Sequence, residues 1–415
     1  MDLRNILLEK GVRMPDPASV FIGPEVDPDR IAPGAVIHPG CRLVGERSLV
    51  MEGARLGAEG PATVSDCLVG PGAELRGGFF QQAVFLAGAS MGSNAHVRAG
   101  TILEEQASAA HSVGLKHTIL FPFVTLGSLI NFCDIFMAGG TSRENHSEVG
   151  SSYVHFNYTP QQDKATASLL GDVPQGVTLR ENPIFLGGQG GLVGPCVIAY
   201  GTVIAAGSLW RKDQPRKNRL IFDGIRKRGD VAHVAGHYRA VKRTVLNNVE
   251  YIANLIALQR WYHHVRSRFA ATPLEQALHQ GLTENCEEAI RERINRFHRF
   301  CVNMDRSTEI HESMIGDSDT SLSSAKLVAQ KKELHENCDP LVQAFSLFVE
   351  NPGDTSGGET FLSALDRIQE DGRQDYLPTI QSLPYEDAMA ATLWMSAVVS
   401  HVRGRVMELL PTLNH

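Results

Sequence analysis

Two histidines beside one Asn-Tyr pair are the chain's clearest candidates for proton-transfer chemistry. His146 and His155 precede Asn157-Tyr158, and a neutral imidazole can accept a proton near pH 7. His146 lies between Glu144 and Glu148, so a carboxylate could orient its ring. His155 would share a strand face with Asn157, because side chains two residues apart point to the same side of a strand. Each histidine could equally be a surface or packing residue.

The same segment offers a weaker case for a metal site, and the cysteines offer none. Glu144, His146 and Glu148 together could ligate a cation, but no second histidine lies close to them in the sequence. The seven cysteines are scattered and never form a C-x-x-C motif. This pattern favours free thiols in a reducing compartment over a disulfide framework or a zinc site. The sequence therefore predicts no metal cofactor.

Residues that do chemistry must be held by a scaffold, and a six-residue repeat indicates which one. Leu186, Leu192, Ile198 and Ile204 fall six residues apart, and glycines and other small residues are frequent between them. This period fits neither a helix nor an isolated strand. It fits a β-helix in which one aliphatic side chain per face points inward and stacks on the next coil. The same spacing recurs near the amino terminus at Ile31, Ile37, Leu43 and Leu49. The first half is therefore predicted to be a mainly β solenoid.

The second half of the chain has a helical pattern instead. Val241, Val245, Val249 and Ile252 follow the spacing of an amphipathic helix. The segment from Thr272 to Glu275 is a capping box with proline at the first helical position. We therefore predict four parts: a short helical segment at 1–21, a β-solenoid at 22–213, a basic linker at 214–230 and an all-α domain at 231–415.

Composition excludes several classes of partner. The formal net charge is −7 and the pI is about 6.1, which argues against general nucleic-acid binding. No apolar run approaches the roughly 20 residues that span a bilayer, and the amino terminus lacks the apolar core of a signal peptide. We expect a cytoplasmic protein without a membrane segment. The basic stretch from Arg211 to Arg219 is either a solvated linker or a clamp for phosphate groups.

Several motifs of the predicted solenoid, taken in order, resemble one family. The first is the pair Arg98 and Lys116, whose separation matches that of an arginine and a lysine in the family. The second is Asn157-Tyr158, followed by a polar loop and Lys164. The third is the last pair of hexads, Gly201–Ser208, followed by the segment Arg211–Asp213 with its two basic residues. Together they are similar to the acetyltransferase domain of the bifunctional bacterial enzymes that make UDP-N-acetylglucosamine. The resemblance implies a left-handed β-helix of the hexapeptide-repeat transferase class. It also implies a homotrimer with active sites in the clefts between neighbouring copies.

The resemblance also implies a role for each matching residue. Cationic side chains would hold the phosphate of the acceptor through charge-assisted hydrogen bonds. The residues expected to bind this acceptor, an amino-sugar phosphate or a nucleotide sugar, are Arg98, Lys116, Asn131, Asn157, Tyr158 and Lys164. The residues expected beside acetyl-CoA, the co-substrate, are Ala205, Ala206 and Lys212.

The catalytic base is where this chain departs from the family. The family's histidine follows a glycine one coil before the Asn-Tyr pair, but the matching stretch here, from Leu126 to Asp134, contains no histidine. His146 and His155 therefore become the catalytic candidates. Asp134 could accept a proton from an ammonium group only if it were desolvated.

These observations predict a CoA-dependent acyltransferase, most simply an N-acetyltransferase acting on an amino-sugar phosphate or UDP-amino sugar. The missing histidine keeps open an alternative, a sugar-nucleotide-binding or scaffold protein without catalysis. A further alternative is a partner subunit for a separate nucleotidyltransferase, with the helical domain as the interface.

Overall fold

The computed structural model describes residues 2–159, 161, 163–222, 233–315, 322–351, 354, 356–370 and 375–414. The predicted linker at 214–230 falls partly on residues 223–232, which lie outside the described residues. Within the described ranges, no helix has both the length and the apolar content needed to cross a bilayer.

The first half of the chain is built from short strands in parallel pairing. In chain order they are β1 (Phe21–Ile22), β2 (Val36–Ile37), β3 (Arg42–Val44), β4 (Leu49–Val50), β5 (Arg55–Leu56), β6 (Ala62–Ser65), β7 (Leu68–Val69), β8 (Glu74–Leu75), β9 (Gly78–Gln81), β10 (Ala83–Phe85), β11 (Ser90–Met91), β12 (Ala95–Val97), β13 (Thr101–Leu103), β14 (Ser108–Ala109), β15 (Gly114–Leu120), β16 (Thr125–Leu126), β17 (Asn131–Met137), β18 (Glu148–Val149), β19 (Val154–Phe156), β20 (Ser168–Leu170), β21 (Phe185–Leu186), β22 (Gly191–Val193), β23 (Val197–Ile198), β24 (Val203–Ile204), β25 (Leu209–Trp210) and β26 (Leu220–Ile221).

The strands stack into three parallel faces, which confirms the predicted solenoid. We call the first the site face; it runs β1-β3-β6-β9-β12, then the first halves of β15 and β17, then β19-β22-β25. The covered face runs β4-β7-β10-β13, then the second halves of β15 and β17, then β20-β23. The third face runs β2-β5-β8-β11-β14-β16-β18-β21-β24-β26.

The six-residue repeat places one aliphatic side chain on each face in turn. Leu186 lies on the third face, Leu192 on the site face, Ile198 on the covered face and Ile204 on the third face again. All four side chains are buried in the prism. The period arises because each face contributes about one inward-pointing residue before the chain turns a corner.

The corners form three edges with left-handed backbone. We call edge A the corner between the third face and the site face, where Ser112, Leu129 and Ser152 have φ near +60°. Edge B joins the site face to the covered face, and there His117 and Asp134 have φ values of 46° and 60°. Edge C joins the covered face to the third face and carries the loop at 139–147. Each edge thus repeats a tight turn in successive coils.

Most of the helices lie in the second half of the chain, and two short ones lie in the first half. They are α1 (Leu3–Lys10), α2 (Val173–Gly176), α3 (Val241–His264), α4 (Pro273–Val302), α5 (Met304–Ile315), α6 (Leu322–Glu336), α7 (Cys338–Val349), α8 (Glu359–Glu370), α9 (Tyr376–Gln381), α10 (Tyr385–Met407) and α11 (Pro411–Asn414). The predicted helical domain is confirmed, and Thr272 and Glu275 form the predicted capping box at the start of α4.

The helical domain packs along the covered face of the solenoid. The close approach of α4 to β7 needs a glycine, because a Cβ at Gly281 would lie 2.3 Å from the Leu68 side chain. Strands β10, β13 and β20 are buried at every position, as expected of strands with both sides covered. One face of the prism is therefore internal, while the site face and the third face remain open to solvent or to partners.

Charged side chains also cross this interface. Arg266 forms hydrogen-bonded ion pairs with both Glu104 and Glu105 of the solenoid, and Tyr262 donates a hydrogen bond to Glu104. Burial raises the pKa of Glu104 to about 7, although the charge of Arg266 opposes that shift. These contacts fix the register between α3, the segment after it, and the solenoid coils.

Candidate functional site

A row of polar side chains crosses the middle of the site face. Lys116 of β15 and Cys133 of β17 are paired in register, and Arg98 follows Val97, which pairs with Leu115. Val97 and Leu115 are fully buried in the prism, so their neighbours Arg98 and Lys116 point outward. The guanidinium Nη2 of Arg98 lies 3.9 Å from Cys133 Sγ. The structure thus brings the two predicted phosphate-binding cations onto consecutive coils.

Lys164 adds a third positive charge from the loop that follows β19. The charges of Arg98, Lys116 and Lys164 all act on the thiol of Cys133 and lower its pKa. Burial and then the charge of Asp134 act in the opposite direction and raise this pKa overall. Three cations near one thiol of an open face form a positively charged patch, and charge-assisted hydrogen bonds to an anion would be strong there.

The predicted amide ligands flank this cationic row. Asn131 points outward two residues before Cys133, and its Oδ1 lies 3.9 Å from the Cys133 sulfur. Asn157 donates a hydrogen bond of 3.2 Å from Nδ2 to Oδ2 of Asp134 at edge B. The adjacent Tyr158 is 62% exposed. The acceptor-binding residues predicted from the sequence therefore lie on one face and at its edge.

Asp134 is fully engaged in a buried ion pair. Its Oδ1 lies 2.8 Å from Nη2 of Arg293 in α4, and the two side chains are only 4% and 3% exposed. One oxygen is thus occupied by the guanidinium of Arg293 and the other by the amide of Asn157. Asp134 is therefore desolvated, as a role as proton acceptor would require, but both of its oxygens are already bonded in this structure. It holds Asn157 and anchors α4 to edge B.

Neither of the two catalytic candidates presents its ring on the outer surface of the cationic row. His155 points into the prism, where its Nδ1 lies 2.5 Å from the carbonyl oxygen of Cys133 and its Nε2 lies 2.8 Å from Ser168 Oγ. Burial lowers its pKa. His146 lies in the loop at edge C, with Nδ1 2.6 Å from the carbonyl oxygen of Arg143. The site face lies opposite this edge, so within one chain the structure does not bring either ring to the acceptor site.

Edge A carries two of the three residues expected beside acetyl-CoA, Ala205 and Ala206. Backbone hydrogen bonds connect the turns of successive coils along this edge. The Gly207 amide donates to Gly188 O, and the Gln189 amide donates to Ser151 O. Ala206 and Gly207 therefore lie in the same stack of turns as Ser128 and Ser151. A Cβ built at Gly207 would meet no atom within 4 Å. Small, uncharged and open positions such as Ala205 and Ala206 suit a pantetheine chain. Lys212 is exposed beyond the other end of β25, at edge B, so it lies across the site face from these alanines.

Sequence reasoning missed the partners that complete this site. Cys133, Arg293 and the pair His111 and Ser128 were not predicted as site residues. One signal could have found three of these four residues. Cys133 follows Lys116 by 17 residues, as Lys116 follows Arg98 by 18, and Ser128 follows His111 by 17. Because one coil has this length, residues at this spacing stack on one another. Arg293 lies in another domain and has no such signal.

Among the described residues, no cluster of three potential metal-ligating side chains occurs. The site instead offers a cationic patch, amide groups and an edge of small residues within one face of a parallel prism. This arrangement can bind an anionic group on one side and leave a nucleophile near the other side.

Comparison with known proteins agrees with the solenoid fold of the first half of the chain. The chain is 27% identical over 220 residues to the bifunctional protein GlmU of Desulfitobacterium hafniense, covering 53% of this chain and 43% of that protein. It is 29% identical over 210 residues to the GlmU of Thermotoga petrophila, covering 50% and 42% of the two chains. The chain therefore spans less than half the length of these curated relatives. No protein-family model matches the chain. The first half of the chain is thus a hexapeptide-repeat β-solenoid that resembles the acetyltransferase domain of the GlmU proteins.

Proposed function

We propose that the protein is a CoA-dependent acyltransferase of nucleotide-sugar metabolism that N-acetylates an amino-sugar phosphate or a UDP-amino sugar. The observation that carries this proposal is the convergence of Arg98, Lys116 and Lys164 on one point of the open site face. In this proposal the three cations bind the acceptor's phosphate, and Asn131 and Asn157 contact the sugar with Tyr158.

The co-substrate is assigned to edge A. Acetyl-CoA supplies the activated acyl group, and the backbone of Ala205 and Ala206 would lie along its pantetheine arm. Lys212 would meet the CoA phosphates from a neighbouring copy of the chain, since it lies at edge B of its own copy. Backbone amides near the reacting carbonyl are the usual means of stabilising the developing oxyanion.

A homotrimer is part of the same proposal, and the fold limits how it can form. The helical domain occupies the covered face, so other copies must pack on the site face, the third face or edge A. The third face carries Phe185, Val203 and Leu220 in register on consecutive coils, and Leu220 is 66% exposed. We expect Val203→Glu to lower the mass measured by light scattering from that of a trimer, and Arg55→Glu on the same face to leave it unchanged. A wild-type monomer at micromolar concentration would contradict this part.

Turnover with defined acceptors tests the proposed activity. Purified protein is incubated with acetyl-CoA and either glucosamine 1-phosphate or UDP-amino sugars, and thiol release is followed together with product mass. We expect turnover with at least one phosphorylated amino sugar and none with the unphosphorylated sugar, because the cations bind the phosphate. Absence of turnover with every acceptor would contradict the proposed activity.

A second candidate function is sugar-nucleotide binding without catalysis. It is favoured by the stretch from Leu126 to Asp134, which lacks the family's histidine, and by the pairing of Asp134 with Arg293. It predicts UDP-sugar binding by calorimetry with no thiol release. The same outcome would fit a partner subunit for a nucleotidyltransferase, which co-purification would identify.

A further inference from the structure

A histidine and a serine form a hydrogen-bonded pair on edge A. Ser128 Oγ lies 2.9 Å from Nδ1 of His111. The two residues occupy the same turn position in consecutive coils, because the Leu129 amide donates to His111 O and the Ser152 amide donates to Ser128 O. In the next coil, Ser151 Oγ accepts a hydrogen bond of 3.2 Å from the Ser128 amide. The turn ladder therefore holds the Ser128 hydroxyl between the His111 ring and the Ser151 turn.

This pair lies at the border of the site face. Ser128 is in the turn that leads directly into β17, whose first residue is Asn131. Arg98, Lys116 and Cys133 lie towards edge B, at the other end of the same short strands. An acceptor whose phosphate sits on the cations would therefore extend along the face towards Ser128. The side of the face that faces edge A also carries the small residues assigned to the pantetheine arm.

We propose that His111 is the general base of the transferase and that Ser128 relays the proton to it. This inference rests on the proposed function and names its catalytic residue. Nδ1 of His111 accepts the Ser128 hydroxyl proton, so the ring carries its own proton on Nε2. The Ser128 oxygen is then oriented to accept a proton from the attacking amine. The transfer from Ser128 to His111 occurs over a hydrogen-bond distance of 2.9 Å, as general base catalysis requires.

The proton and electron balance of this step is complete. The amine nitrogen attacks the thioester carbonyl carbon, a C–N bond forms and the C–S bond breaks. The proton lost from nitrogen passes to Ser128 Oγ while the Ser128 proton passes to His111 Nδ1. The sulfur leaves with the electron pair of the C–S bond and takes up the proton that His111 holds. No oxidant or metal is needed.

Other histidines near the solenoid are less suited to this role. Both ring nitrogens of His155 are engaged inside the prism, and His146 is at edge C. Burial lowers the pKa of His117 to about 4, and its Nε2 faces Glu292 of α4 at 3.9 Å. The stretch from Leu126 to Asp134, in which the family resemblance implies a histidine, contains none. It contains Ser128, and a basic nitrogen lies one coil earlier, within hydrogen-bond distance of that serine.

Substitution of the pair tests the proposal. In His111→Asn we expect kcat to fall about 10²-fold or more, because general bases contribute 10²- to 10⁴-fold. The KM for the acceptor should stay within about 3-fold, since the cations are untouched. Ser128→Ala should lower kcat about 10-fold, because a water molecule can replace the hydroxyl. The acidic limb of the pH profile of kcat/KM should disappear in His111→Asn. Ser93→Ala, one coil before His111 on the same edge, is the matched control and should keep wild-type kcat.

A relocated histidine provides the sharpest test. Ser128→His in the His111→Asn background returns an imidazole to the turn after Gly127, and we expect it to restore kcat at least 10-fold. A merely structural role of His111 would not be rescued in this way. Histidine side-chain NMR supplies a readout without substrates: Ser128→Ala should shift the His111 Nδ1 resonance, and Ser93→Ala should not.

The outcomes separate this inference from the function on which it rests. Wild-type turnover with full activity of His111→Asn would overturn the relay and leave the transferase standing. Loss of activity in His96→Asn but not in His111→Asn would also overturn it and assign the base to the site face. Absence of wild-type turnover with every acceptor would contradict the transferase and the relay together.

Discussion

The covered face and the site face of the prism differ in whether their charged side chains are paired with opposite charges. Against the covered face, Arg266 is 5% exposed and bonds two carboxylates, so each buried charge has a partner. On the site face, Arg98, Lys116 and Lys164 act together on one thiol, and no ion pair joins them to a carboxylate in the described part of the chain. Buried charges need partners to fold, whereas like charges gathered on an open face are costly unless an anion binds. The first arrangement holds domains together, and the second is the one that we propose binds the phosphate of an acceptor.

Breaking the covered-face network should have the largest effect on stability. Arg266→Met leaves Glu104 and Glu105 buried without their cation, and we expect a loss of about 3–5 kcal/mol in the free energy of unfolding. Urea denaturation followed by circular dichroism measures it. The matched control is Arg268→Met, because Arg268 pairs with the 54% exposed Asp366 and such pairs contribute about 0–1 kcal/mol. Equal losses in the two variants would contradict the distinction between buried and exposed pairs.

On the site face, removing a cation should affect binding and leave the fold intact. In Lys116→Ala we expect the KM for a phosphorylated acceptor to rise about 10- to 100-fold, since a hydrogen bond to a charged group contributes about 1.5–3 kcal/mol. The midpoint of urea unfolding should change little, because Lys116 points outward. Arg55→Ala on the third face removes an exposed cation from the same prism and should leave KM unchanged. A similar change in both variants would show that the protein's overall charge, and not the convergent site, attracts the acceptor.

His117 at edge B lies between the two faces and should make stability depend on pH. Burial lowers its pKa from 6.5 to about 4. Between about pH 6.5 and pH 4, His117 is protonated in the unfolded chain but neutral in the folded chain. The free energy of unfolding therefore falls as the pH falls through this window. From pH 7 to 4.5 the loss from this group is about 2 kcal/mol.

The matching experiment compares unfolding free energies at pH 7 and pH 4.5. His117→Asn should show a smaller acid loss than the wild type, whereas His96→Asn, on the exposed surface of the site face, should retain the wild-type slope. If His117→Asn lost as much unfolding free energy as the wild type between pH 7 and pH 4.5, protonation of His117 would not be the cause of the loss.

The scaffold could be predicted from the sequence because its signal is local and repeated. The repeat arises because each face needs one aliphatic side chain that points inward. The structure places all four residues of the repeat in the core, namely Leu186, Leu192, Ile198 and Ile204. The capping box at Thr272 is likewise a local signal. The outward residues Arg98 and Lys116 were placed by a family resemblance, and the coil length then explains why they meet.

The rest of the site could not be predicted because it depends on contacts between distant segments. Asp134 and Arg293 are far apart in sequence, and only the packing of α4 against edge B brings them together. His155 shares a strand with outward-facing neighbours, but its own side chain points inward because the register of β19 pairs it with Leu192. Alternation along a strand gives two faces, and the sequence of this strand does not say which one is internal.

The smallest effect should come from the residue at the centre of the cationic row. Cys133 lies among three cations that lower its thiol pKa, but burial and the charge of Asp134 raise it overall. A thiolate is the reactive form of cysteine, so a thiol held neutral near pH 7 should only fill space. We therefore expect Cys133→Ala to keep kcat and the acceptor KM within about 3-fold, and iodoacetamide to label Cys133 slowly at pH 7.5. A drop of kcat by more than about 10²-fold together with an acylated Cys133 peptide would make this thiol the nucleophile. That result would show that the row of cations activates a protein group and would remove the reason for assigning it to the phosphate of an acceptor.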